Sequence, residues 1–200
     1  MHAKVMAPLV KSLAVLTALG LSITSGVTSA QSPRSVPGAV TVSNLAGWSP
    51  AASDPVAYTC VVCDPIVGVT IEVLLLSKFA QTPPPGAATL DSSAFAAEIA
   101  SNISARREFV DPVIANRRAA APGFETDMRY VGSAKIGGLT FVEMEMTSRR
   151  AAEIVNATEY FTMHRGRMVH IMVVRRVAKL SPESAREVAR FLAQVRFERW

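Results

Sequence analysis

Only two cysteines occur in 200 residues, together in Cys60-Val61-Val62-Cys63. With no second pair, a zinc site built from two Cys-x-x-Cys units is excluded. A nucleophile elbow, a phosphate-binding loop and an HExxH helix are also missing, so the motifs that announce hydrolase, nucleotide and metalloprotease chemistry are absent. No block of like charge occurs. The arginine doublets Arg106-Arg107, Arg117-Arg118, Arg149-Arg150 and Arg175-Arg176 are interleaved with acids and read as solvated faces, which argues against nucleic-acid binding. A spanning helix needs about 20 apolar residues. The run from Leu13 to Ile23, cut off by Lys11, is too short.

What that run does fit is an export signal. Lys4 and Lys11 precede it, and the small residues Thr28 and Ala30 follow it, placing the cut after Ala30 and before Gln31. Lipidation of the new terminus is excluded, because Gln31 stands where a lipoprotein needs cysteine. The remaining 170 residues suit one domain with its own core. Removing Lys4 and Lys11 lowers the net charge from +5 to +3, a mild excess. Periplasmic or secreted placement turns Cys60 and Cys63 toward a disulfide rather than an intracellular metal or redox motif.

Residues 31–56, with four prolines and little apolar periodicity, predict a flexible leader, and the single domain is expected over 57–200. Val67 to Leu76 reads as a buried strand, stopped by Thr82-Pro-Pro-Pro-Gly86. Asp91 offers a helix cap, and Phe95, Ile99 and Ile103 recur at helical spacing. Arg106 to Gly123 has weaker periodicity and predicts a ragged helical or irregular crossover. Four strands follow. Asp127 to Ile136 and Leu139 to Thr147 alternate in polarity about the Gly137-Gly138 turn, and Ala157 to His164 and Met168 to Arg176 form a second hairpin about Arg165-Gly166. Ser181-Pro182-Glu183 starts a last helix with its apolar stripe at Ala185, Val188, Leu192 and Val195, and Phe197 begins a short strand. The predicted fold class is α+β, an antiparallel meander with two amphipathic helices on one face.

This order resembles the PsbP-like fold family over Val67 to Phe197. Its carriers are Gly137-Gly138-Leu139, the hairpin from Tyr160-Phe161-Thr162 through Arg165-Gly166 to His170-Ile171, and the terminal helix before Val195-Arg196-Phe197. The resemblance implies a fold and a small exported accessory role. It carries over no functional residue, and Cys60/Cys63 lie outside the family pattern.

Three groups of residues could carry chemistry. A Cys60–Cys63 disulfide needs Cα atoms within about 7 Å, whereas an extended strand would hold them nearer 10 Å at about 3.3 Å per residue. Val61-Val62 must therefore turn. Asp64-Pro65 just afterwards favours a change of direction. The alternatives are a thiol-redox pair, although no helix follows the motif to stabilise a thiolate, or a zinc site completed by His164 and His170. In the second group, Met168-x-His170-x-Met172 places two thioethers and an imidazole on one strand face, a donor set suited to Cu(I) or to plain core packing. Which face they occupy depends on the length of the loop at Arg165-Gly166. Third, Glu143 and Glu145 share a face about 6 to 7 Å apart, either paired carboxylates or solvated ones.

The sequence therefore predicts an exported, periplasmic accessory or binding protein without enzymatic activity, with no identified cofactor and no membrane span after cleavage. The alternative is a copper- or zinc-handling or thiol-redox protein using Cys60/Cys63.

Overall fold

The computed structural model describes residues 39–43, 45–51, 54–75, 91–176 and 179–198. The expected signal segment, residues 1–30, and Thr82-Pro-Pro-Pro-Gly86 lie outside them. In chain order the elements are β1 (Val40–Val42), β2 (Trp48–Ala51), β3 (Asp54–Cys60), β4 (Val67–Leu75), α1 (Ser92–Ser101), α2 (Ile103–Ala120), β5 (Glu125–Ile136), β6 (Leu139–Arg150), β7 (Glu153–His164), β8 (Arg167–Arg175), α3 (Pro182–Gln194) and β9 (Val195–Phe197). The large sheet has seven strands in the order β2-β3-β4-β8-β7-β6-β5, every neighbouring pair antiparallel. A separate ribbon pairs β1 with β9. The fold is α+β, with helices packed on a largely antiparallel sheet.

Turn chemistry fixes the register. Gly137 and Gly138 both have positive φ, the backbone that a two-residue hairpin loop requires between Ile136 and Leu139. At the other hairpin Arg165 (φ 50°) and Gly166 (φ 71°) form the same kind of loop, closed by His164 opposite Arg167. That length settles the parity left open by the sequence: Phe161 faces His170, and Glu159 faces Met172.

Alternation then separates two cores. On one face Val67, Val69, Ile71 and Val73 of β4 join Val169, Ile171 and Val173 of β8 and Tyr160 of β7, all buried. Helix α3 seals this side with Val188 and Phe191. Phe191 meets Trp48 and Tyr58 at ring-centroid distances of 4.3 and 5.1 Å. On the opposite face Met144, Met146, Phe161, Met163 and Met168 pack beneath Phe95, Ile99, Phe109 and Val113 of α1 and α2. Fully burying one such side chain contributes about 1.5–3 kcal/mol.

Four details differ from the sequence expectation. The helices number three among the described residues and divide between both faces instead of sharing one. The expected crossover is an 18-residue helix, because the Asn102 side chain accepts from the Ser104 and Ala105 amides and restarts the helix in a new phase. Ile103, counted in the first apolar stripe, is consequently 68% exposed. Next, the segment expected as leader contributes β1, β2 and the start of β3, with Trp48 buried in the core. Finally, a bulge between Met128 and Tyr130 breaks the alternation of β5, placing Met128 opposite Met146 and Tyr130 opposite Glu145 on different faces.

Candidate functional site

Cys60 and Cys63 form a disulfide with their Cα atoms 5.4 Å apart. The required turn is made at Val61-Val62, where the Val61 amide donates to the Gly47 carbonyl at 2.9 Å and both valines are exposed. Both cysteines are buried at the end of the α3-covered face, and the Ser184 hydroxyl of α3 donates to the Asp64 carbonyl. The bridge therefore ties the β3–β4 connection down beneath the helix. Joined sulfurs offer no thiolate. Among the described residues no three His, Cys, Asp or Glu groups converge as a metal site.

Met168, His170 and Met172 share one face, as alternation requires, but their surroundings differ. Met168 is enclosed in the core under α1 and α2, and Met172 packs with Val155, Val174 and Phe124. Between them His170 stacks on Phe161, with ring centroids 4.4 Å apart and planes 4° from parallel. Its Nδ1 lies 3.3 Å from Glu72 Oε2 and its Nε2 lies 3.0 Å from Glu159 Oε2. Glu159 in turn accepts from Arg117 Nε at 2.6 Å, and Arg117 Nη2 also touches the Met172 sulfur.

This is a buried chain of alternating charge, Glu72–His170–Glu159–Arg117. Burial alone would lower the His170 pKa, yet hydrogen bonds and charge from Glu159 and Glu72 raise it to about 9. For Glu159 burial pushes up, while the Arg117 charge and the His170 hydrogen bond pull down further and hold it at about 2. His170 is therefore an imidazolium donating from both nitrogens, with no lone pair to offer a metal. His164, half-buried at the end of β7, has its pKa lowered by burial and by Arg165.

Glu143 and Glu145 lie on the α3 side of the sheet. Glu143 accepts from the buried Tyr160 hydroxyl; burial raises its pKa, Tyr160 opposes that, and Glu145 adds to it. The Tyr160 phenol is driven above its usual range by burial and by Glu143.

On this side α3 and the β1–β9 ribbon cover the rows around Phe141, Tyr160 and Val69, but not the far ends of β5 to β8. There a basin of about 280 Å³ is lined by Arg129, Glu145, Met146, Thr147, Arg149, Ile154, Asn156 and Arg175. Its floor is a cross-strand row: Thr147 faces Asn156, and Asn156 faces Arg175. Thr147 and Asn156 are buried and joined by a 2.6 Å hydrogen bond. Arg149 pairs with Asp127 at 2.8 Å, and Arg129 reaches the same carboxylate at 3.7 Å. Arg175 Nη1 donates to Thr158 Oγ1 at 3.1 Å, while its Nε is buried with no hydrogen-bond partner.

Sequence reasoning passed over Glu72, Glu159, Arg117 and Arg175. The first two carried a readable signal, since Glu72 is the lone acid of β4 and Glu159 the lone acid between Asn156 and His164, each in a stretch of buried residues where a charge must be paired. The arginines did not: Arg117 and Arg175 sit in doublets taken as solvated, and only the fold reveals that one of each is drawn inward.

No family model matches the chain, and no curated protein matches it. Among solved structures it is similar to LpqN, described as involved in cell envelope biogenesis of Mycobacterium tuberculosis. The two share 11% identity over 80% of this chain and 83% of that one, with a TM-score of 0.40. A likeness of that degree carries no assignment of function, and the PsbP-like resemblance stays one of element order. No helix among the described residues is long and apolar enough to cross a membrane.

Proposed function

We propose that the chain is a small exported, periplasmic accessory protein that acts by binding, and that the basin at the ends of β5 to β8 is where it binds. The observation that supports this most directly is the set of converging polar groups in the basin. Glu145, Thr147, Asn156 and Arg175 stand on adjacent paired strands, so their backbones are fixed before any ligand arrives. A volume of about 280 Å³ falls at the small end of ligand pockets. It suits a small molecule or the end group of a larger one. Export rests on the signal pattern of residues 1–30 and agrees with a buried Cys60–Cys63 bridge.

The test is a panel of small acids, amines and sugars titrated into ¹⁵N-labelled protein purified from its own exported fraction. Saturable shifts clustered at Thr147, Asn156 and Arg175 are expected. Ligand responses confined to other surfaces, or substrate turnover abolished by Glu143→Ala or His164→Ala, would overturn the proposal.

A further inference from the structure

We infer that the basin takes a single carboxylate on a short aliphatic or peptide stem, held by the Nε–Nη2 edge of Arg175. The inference rests on the basin being a binding site and adds the chemistry of what enters it. Arg175 ends β8, and its backbone is paired on both sides, with Val67 of β4 and Asn156 of β7. The Nη1 bond to Thr158 Oγ1 fixes the plane of the guanidinium. Of the remaining donors, Nε is buried without a partner, and among the described residues Nη2 makes no hydrogen bond. These two N–H groups point the same way from one edge of the group. Two parallel donors in one plane match the two oxygens of a carboxylate, the geometry that makes arginine the preferred residue for planar anions. A carboxylate drawn to Nη2 from the basin becomes the partner that the enclosed Nε lacks once the side chain slides within its plane to open that edge.

Charge sets the number of negative charges that fit. Three arginines line the basin, against Glu145 in its wall and Asp127 at its rim. Asp127 is shared by Arg149 and Arg129, so the basin as a whole is one positive charge in excess. A monoanion completes that balance. A phosphate carrying nearly two charges would be left facing Glu145. Ile154, opposite Arg149 on the neighbouring strand, gives the wall an apolar stretch for a carbon stem.

Arginine side-chain NMR reads this directly, because the Arg175 Nε–H is shielded from exchange and gives its own signal. In ¹⁵N-labelled protein from the exported fraction, butyrate and N-acetyl-alanyl-alanine are titrated beside butyramide and inorganic phosphate. The expected result is a saturable downfield shift of the Arg175 Nε–H with either carboxylate and none with butyramide. The tighter of the two carboxylates distinguishes a free acid from a peptide terminus as the ligand's source. Arg175→Lys keeps the charge but loses the fork and is expected to weaken binding about tenfold or more, while Arg107→Gln, exposed on α2 across the sheet from the basin, changes it by less than about threefold. Circular dichroism confirms that both variants fold. Butyramide binding as well as butyrate, phosphate binding more tightly, or unaltered affinity in Arg175→Lys would overturn the carboxylate assignment and leave the basin as a site. No response at the basin to any probe would overturn both.

Discussion

Replacing Arg117 with methionine removes the terminal cation of the buried chain and leaves Glu159, 2% exposed, with His170 as its sole counter-ion among the described residues. Opposite charges about 4 Å apart attract by about 4 kcal/mol at an effective dielectric of 20. Breaking one side of a buried pair costs about 3–5 kcal/mol. Because His170 still donates to Glu159, the lower end applies, about 3 kcal/mol. At about 2–4 °C per kcal/mol for a domain of this size, Tm falls by roughly 6–12 °C. Urea unfolding followed by far-UV circular dichroism at pH 7 measures the loss directly.

The sign of its pH dependence follows from Glu159. A carboxyl held at about 2 when folded, against an ordinary 4.5, contributes stability that is complete above pH 4.5 and lost as pH falls through 2. Without Arg117 that depression shrinks, so the gap between wild type and Arg117→Met narrows from pH 7 to pH 3. Adding Glu159→Gln removes the unpaired charge and recovers part of the loss at pH 7. A loss under 1 kcal/mol, or a double variant no more stable than Arg117→Met, would refute the reasoning.

Three further outcomes follow from other contacts. His170, raised to about 9 from 6.5, contributes stability that is complete below pH 6.5 and lost as pH rises through 9. The wild type should lose on the order of 2–3 kcal/mol between pH 6.5 and 9, an interval over which His170→Gln is flat, as read from urea midpoints. Cys60→Ala/Cys63→Ala opens a four-residue ring and costs about 2 kcal/mol in unfolded-chain entropy, measurable by the same titration. Phe191→Ala removes the aromatic contact of α3 with Trp48 and Tyr58 and costs about 3–5 kcal/mol, with a red shift in tryptophan emission as Trp48 meets water.

What was readable in the sequence depended on interactions close along the chain. Asp91 and Ser181 cap α1 and α3 through hydrogen bonds to residues three positions on, Gly137-Gly138 turns a hairpin, and Cys60 and Cys63 join across two residues. Local signals of this kind need no knowledge of the fold. Helix α2 needed it, since Pro112 and a run of charged residues interrupt its periodicity and burial of Phe109 and Val113 against the sheet decides its conformation. Strand β1 was hidden because its partner is β9, over 150 residues away, whereas β2 pairs with the nearby β3 and was masked by Pro50 and Pro55, which break the pattern of a strand. Face assignment failed in β5, where the bulge next to Met128 reverses the pattern. The basin was invisible for the same reason, since Thr147, Asn156 and Arg175 converge only through the pairing of β6, β7 and β8.

The proposed role is binding, with Arg175 giving the basin its chemistry. Titration of butyrate against the Arg175 Nε–H signal tests it most directly. A saturable downfield shift that butyramide does not produce is expected. A signal unmoved by butyrate, with the basin residues Thr147 and Asn156 equally silent, would contradict it.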